Sequence, residues 1–107
     1  MQESKHTLQI EYGNNREYFA VRVCSADMKN AYMPVGAVVV VHKQRYADNG
    51  DIVLAVLNGK LVYRYYRTDG DDLYLFPANN DLLPTAIKKT DDLLLLGKVV
   101  EIRIGVN

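Results

Sequence analysis

The chain has 107 residues, enough for one domain with a core of its own. Thirteen basic residues balance thirteen acidic ones, which argues against a free-standing nucleic-acid binder, and 49% apolar content argues against disorder. A single cysteine, Cys24, cannot form an internal disulfide, so nothing calls for an oxidising compartment.

Met1 to Asn15 is polar and lacks the apolar stretch of a signal peptide. The longest apolar runs, Val38–Val41 and Leu93–Leu96, are far too short to span a bilayer. A cytoplasmic, membrane-free domain is the expectation.

Tyr18 to Val23 is a short run of β-formers. A short turn is expected after Met28. Gly36 to Val41 is continuously apolar and β-branched, as a strand buried on both faces is. Asp48-Asn49-Gly50-Asp51 carries turn chemistry, and Ile52–Leu57 follows as a strand. Asn58-Gly59 is the strongest hairpin signal, suited to a tight turn at positive φ. Lys60–Arg67 returns, with Leu61, Tyr63 and Tyr65 on one face and Val62, Arg64 and Tyr66 on the other.

A turn at Thr68–Asp72 leads into a strand over Leu73–Phe76, which Pro77 stops. Leu82–Lys89 holds Pro84 and has no helical period, so it reads as loop. Leu93–Ile104 is a last long strand, with Gly97 marking a bulge or bend. Closely spaced strands and little helix predict a mostly β fold of twisted strands in a partly closed barrel.

The order of motifs resembles the C-terminal domain of LexA-like repressors, which cleave their own linker with a serine–lysine dyad. Val21-Arg22-Val23 is similar to the family's opening strand, and Cys24-Ser25-Ala26-Asp27-Met28 to its Gly-Asp-Ser-Met turn. Gly36 follows Met28 by eight residues and opens the valine-rich strand, as in the family. Gly50-Asp51-Ile52-Val53-Leu54-Ala55 and Val62-Tyr63-Arg64 match the central hairpin. Leu75-Phe76-Pro77-Ala78-Asn79 matches a Leu-x-Pro-x-Asn motif, and Leu96-Gly97-Lys98-Val99-Val100 with Arg103 matches the closing strand. The resemblance covers about residues 18–104 and implies an N-terminal arm or linker remnant over 1–17 and the domain over 18–107.

The departures fall on the chemistry. Asp27 stands where the family has its nucleophilic serine, and Tyr63 where it has the base lysine. A serine hydroxyl needs a neighbouring base, and a lysine serves only when desolvation keeps it neutral. A phenol titrates near 10 and donates at neutral pH rather than accepting a proton. No Ala-Gly pair, the family's usual cleavage site, occurs in the chain. The expectation is a pseudo-peptidase without catalytic residues. Asp27 and Tyr63 are expected either to share a hydrogen bond or to be separately solvated.

Other candidates read more plainly. Ser25 lies two positions before the nucleophile's place, a displacement of about 7 Å along an extended chain, and Lys60 and Lys98 are the nearest lysines in the pattern; it reads as a turn residue. Cys24 reads as a small core residue. His6 and His42 have no partners at ligand spacing, and Asp69, Asp71 and Asp72 read as a solvated hairpin tip, so neither metal nor cofactor is expected. Tyr63, Tyr65 and Tyr66 with Arg64 and Arg67 suit packing or a protein interface better than base stacking.

The resemblance implies a homodimerising regulatory domain of a phage- or SOS-type repressor, reaching DNA only through a helix-turn-helix part outside this chain. It places the dimer surface on Lys98, Val99, Val100, Glu101, Ile102 and Arg103, with the Leu75–Asn79 region beside it. A regulatory protein or a peptide held in the disused cleft is a further partner to consider. The rival reading is a self-cleaving serine peptidase with an altered site.

Overall fold

The computed structural model describes residues 17–105. His6, Leu8–Ile10, the Gly13 loop and nearly all of the expected arm lie outside them. The described chain forms β1 (Tyr18–Arg22), β2 (Val38–Lys43), β3 (Ile52–Leu57), β4 (Lys60–Asp69), β5 (Asp72–Phe76), β6 (Thr85–Ala86) and β7 (Leu93–Arg103). One 3-10 turn over Lys29–Ala31 is the only helical element among the described residues. None of their helices is long and apolar enough to cross a membrane.

All seven strands join one sheet in the order β1-β2-β7-β3-β4-β5-β6, every neighbouring pair antiparallel. The mostly β, twisted antiparallel expectation holds. The sheet stays open, with β1 and β6 at its edges. The two-residue β6 falls inside the segment read as loop; so short a strand leaves no period in a sequence.

The tight hairpin forms as the sequence implies. Asn58 and Gly59 sit at φ 50° and 85°, both left-handed, and Leu57 pairs with Lys60 across them. The turn is then tied to the start of β7. The Asn58 amide donates to Asp91 at 3.0 Å, and its side-chain oxygen accepts from the Asp92 N–H at 2.8 Å. The Lys88 N–H donates to Asp91 at 2.7 Å, and this bond, with the Asn58 bond next, holds the Asp91 carboxyl below its ordinary value.

β7 joins the two halves of the sheet. Its N-terminal part pairs with β3 and its C-terminal part with β2. The register shifts twice, between Leu54 and Ala55 on one neighbour and between Val40 and Val41 on the other, so Leu96 and Val100 are extra residues on β7. Such bulges bend a strand and increase its twist. Gly97 sits at the hand-over, opposite both Leu54 and Lys43. A Cβ there would overlap the His42 carbonyl and the Val41 side chain. The bend expected at Gly97 is therefore a close backbone approach beside a bulge.

The core follows strand parity. Phe19, Val21, Val39, Val41, Leu54 and Tyr63 share one face with Met28 and Met33 from the loop after β1. Ala20, Val38, Val40, Val53, Ala55, Val62 and Leu75, from the other face, are also 3% exposed or less. The unbroken valine run of β2 is thus buried on both sides.

Gly97→Ala is expected to lower stability by more than about 2 kcal/mol, because backbone rather than a flexible side chain must move. Urea unfolding at constant slope would read it as a lower midpoint; an unchanged midpoint would mean that β2 and β7 do not approach this closely.

Candidate functional site

The positions read as the dyad meet at a cleft between the two halves of the sheet. Val21, Arg22, Cys24, Ser25 and Asp27 form one wall, and Lys60, Leu61 and Tyr63 the other. The cleft encloses about 240 Å³, below the range of pockets that hold drug-sized ligands.

The turn carrying Asp27 is held from below. The Asn79 amide donates to the Ala26 carbonyl at 2.8 Å, and the Asn30 N–H donates to the Ala78 carbonyl at 2.7 Å. The Ala78 N–H points at the Met28 sulfur, 3.2 Å away. Pro77 ends β5 and sets Ala78 and Asn79 under this turn. The Leu75–Asn79 motif therefore supports the site. Lys29 and Asp81 add an exposed ion pair at 3.9 Å across the same two segments.

Asp27 and Tyr63 come together in the cleft but do not bond to each other. Asp27 instead accepts from the Arg64 guanidinium at 2.7 Å, with side chains only 21% and 14% exposed. The same guanidinium nitrogen donates to the Tyr63 carbonyl at 2.8 Å. The reason lies in strand order. β4 meets β5 only from Tyr65 onward, so its Lys60–Arg64 stretch has no β5 partner. Arg64 leaves the sheet on the Val53 side, opposite the Leu54–Tyr63 face, and its long side chain covers this open edge. The expected Asp27–Tyr63 hydrogen bond is thereby replaced by an Asp27–Arg64 ion pair, and Asp27 is not merely solvated.

Parity hid this pairing, because it puts Arg64 on the face away from Tyr63. The signals that point to it are Arg64 next to Tyr63 in the sequence and the long reach of a guanidinium. An arginine beside a carboxylate outcompetes a phenol because the bond is charge-assisted.

The Tyr63 phenol is left without a partner. The residue is 5% exposed and its hydroxyl is the one buried side-chain polar atom without a hydrogen bond among the described residues. Burial, and after it the charge of nearby Cys24, push the phenol well above its ordinary value, so it is a proton donor at neutral pH.

Cys24 is exposed, not the core residue expected. It follows β1, just where the chain leaves the ladder for the turn, and its thiol makes only a long contact of 3.6 Å with the Arg22 carbonyl. Ser25 shares the cleft with Lys60, while Lys98 lies elsewhere, paired with Asp51 at 3.4 Å. His42 bonds Gln44 at 2.7 Å, lies 3.5 Å from Glu17 and stacks edge-on with Tyr18. Among the described residues no three His, Cys, Asp or Glu gather as a metal site. Tyr65, Tyr66 and Arg67 line a separate groove with Phe76 and Pro77.

The closing strand does not present all six expected interface residues outward. Val99 and Ile102 pack against the core, and Lys98 is engaged with Asp51. Val100 is 48% exposed, and Glu101 pairs with Arg103 at 2.7 Å.

The family model described as peptidase S24-like matches residues 1–100. A LexA repressor of Petrotoga mobilis is 36% identical over 91 residues, covering 83% of this chain and 44% of the relative. A protein named LexA repressor 2, of Nocardia farcinica, is 36% identical over 100 residues, covering 94% and 40%. A LexA repressor of Thermotoga neapolitana is 33% identical over 84 residues, covering 78% and 42%. The chain thus spans less than half the length of these curated relatives.

A double-mutant cycle of Asp27→Asn and Arg64→Gln is expected to give a coupling of about 1–2 kcal/mol. That lies above a surface pair and below a fully buried one. Additive changes in unfolding free energy would remove the ion pair from the account.

Proposed function

Because this chain belongs to the peptidase S24-like family, we propose that it is a non-catalytic dimerisation and regulatory domain of a transcriptional repressor of the phage or SOS type. The observation that carries the reading is the state of the two dyad positions. Asp27 is committed to Arg64, and Tyr63 is a buried donor rather than a base. A carboxylate neutralised by a guanidinium is a poor nucleophile, and a phenol that donates rather than accepts cannot serve as its base. The scaffold that would hold a dyad is retained while the reactive groups are replaced, which fits a domain kept for assembly.

DNA contact belongs to a helix-turn-helix part outside this chain, as the relatives' name "repressor" and their greater length suggest. Two such parts held at fixed spacing read two half-sites together. The last strand is suited to the pairing. Beyond Lys98, β7 is paired with β2 alone, so its other side from Val99 to Arg103 is an edge among the described pairings. Val100 and Ile104, 48% and 60% exposed, add apolar surface there. An unpaired strand edge with apolar flanks is a ready template for a second copy.

A second reading rests on Ser25 and Lys60 facing the same cleft. A displaced serine–lysine pair would make this an active peptidase, but no hydrogen bond joins the two residues. A peptide held in the cleft by a pseudo-peptidase is the remaining alternative.

Light scattering at high micromolar concentration is expected to return twice the monomer mass. Val100→Asp should weaken the dimer by about ten-fold or more, since a charge is then buried against apolar surface. A monomer at all concentrations would contradict the assembly role.

A further inference from the structure

We propose that the groove beside the second half of β4 is a binding site for a small aromatic molecule carrying one carboxylate. This goes beyond the assembly role and does not depend on it. The groove is lined by Gly50, Tyr65, Tyr66, Arg67, Phe76 and Pro77 and encloses about 390 Å³. That exceeds the cleft at Asp27 and falls within the range of small-molecule pockets.

The hollow has a local cause. The Gly50 N–H donates to the Tyr66 carbonyl at 2.9 Å, and the Tyr66 N–H donates to the Asp51 carbonyl at 2.8 Å. Two residues ahead of β3 thus answer one residue of β4, a bulge for which Gly50 supplies the positive φ of 92°. A Cβ at Gly50 would meet nothing within 4 Å, so the space beside it is open. Tyr65 and Phe76 are directly opposite each other on β4 and β5 and share one face. Arg67 follows Tyr65 on that face by alternation. Tyr65, Phe76 and Pro77 are half-buried and Arg67 is exposed. Among the described residues no hydrogen bond or ion pair engages the Arg67 guanidinium.

These groups define the ligand. Two aromatic rings and a proline ring suit a flat, carbon-rich body. A guanidinium without a partner suits a carboxylate, which it holds through two parallel hydrogen bonds. Asp69 lies two residues beyond Arg67 on the same face, and Asp71 and Asp72 follow at the hairpin tip. Their charge opposes a second negative group, so the site favours a single carboxylate over a dianion.

The test is an NMR titration of the isotope-labelled chain with 2-naphthoate, with neutral 2-naphthylmethanol and with the dianion 2,3-naphthalenedicarboxylate. Naphthoate is expected to shift the amides of Gly50, Tyr65, Arg67 and Phe76 saturably, half-way at about 1 mM, the ordinary strength of so small a ligand. The neutral and dianionic probes should each bind about five-fold more weakly, the size of one charge contact in water. Arg67→Gln, on an exposed side chain, should bring naphthoate down to the level of naphthylmethanol and leave the latter unchanged. Phe76→Leu keeps an apolar side chain and should weaken both of these probes alike. Equal binding of naphthoate and naphthylmethanol to the unaltered chain would overturn the proposal. So would shifts centred on Asp27 and Tyr63 instead, or no saturation at all.

Discussion

The close passage of β7 against β2 at Gly97 is the constraint on which the rest of the molecule rests. Without it the sheet would be two unconnected pieces, β1 with β2 and β3 with β4 to β6. β7 serves both by pairing with β3 along its first half and with β2 along its second. The residue at the hand-over can have no side chain, because the His42 carbonyl occupies that space. The two bulges beside it supply the bend. The cleft is a consequence: one wall comes from the chain leaving β1 and the other from β4, and β7 sets their separation.

Across that cleft the Asp27–Arg64 pair ties the two halves a second time. A partly buried, charge-assisted bond of this kind favours one arrangement of the walls over others, even where its net contribution to stability is modest. Asn79 and Ala78 hold the turn that presents Asp27, so the Leu75–Asn79 motif and the ion pair form one mechanical unit. In the proposed reading, these are the positions where a peptidase needs groups that can exchange a proton. Here they hold an ion pair and a phenol, both suited to staying as they are.

Much of this was legible from the residues. Alternation in Lys60–Arg67 put Leu61, Tyr63 and Tyr65 on one face, which the structure turns to the core, Asn58-Gly59 gave the hairpin, and the valine run gave a strand buried on both faces. What escaped was set by distances between segments remote in sequence. Arg64 reaches Asp27 because β5 ends before it can cover that edge, a matter of strand lengths that no local pattern encodes. Cys24 is exposed because the chain turns out of the sheet there, although the strand it follows is apolar and buried. The hidden sides of Val99 and Ile102 follow from the bulges in β7, which break the alternation that a straight strand would show.

The central claim is that the dyad positions have exchanged chemistry for structure. The most direct measurement is cleavage of a peptide carrying the family's Ala-Gly pair, supplied at alkaline pH and followed by mass spectrometry, with the chain as it is and with Asp27→Ser and Tyr63→Lys together. The account predicts an intact peptide with the unaltered chain, whatever the scaffold regains in the double variant. Specific cleavage between Ala and Gly by the unaltered chain, lost on Ser25→Ala, would contradict it.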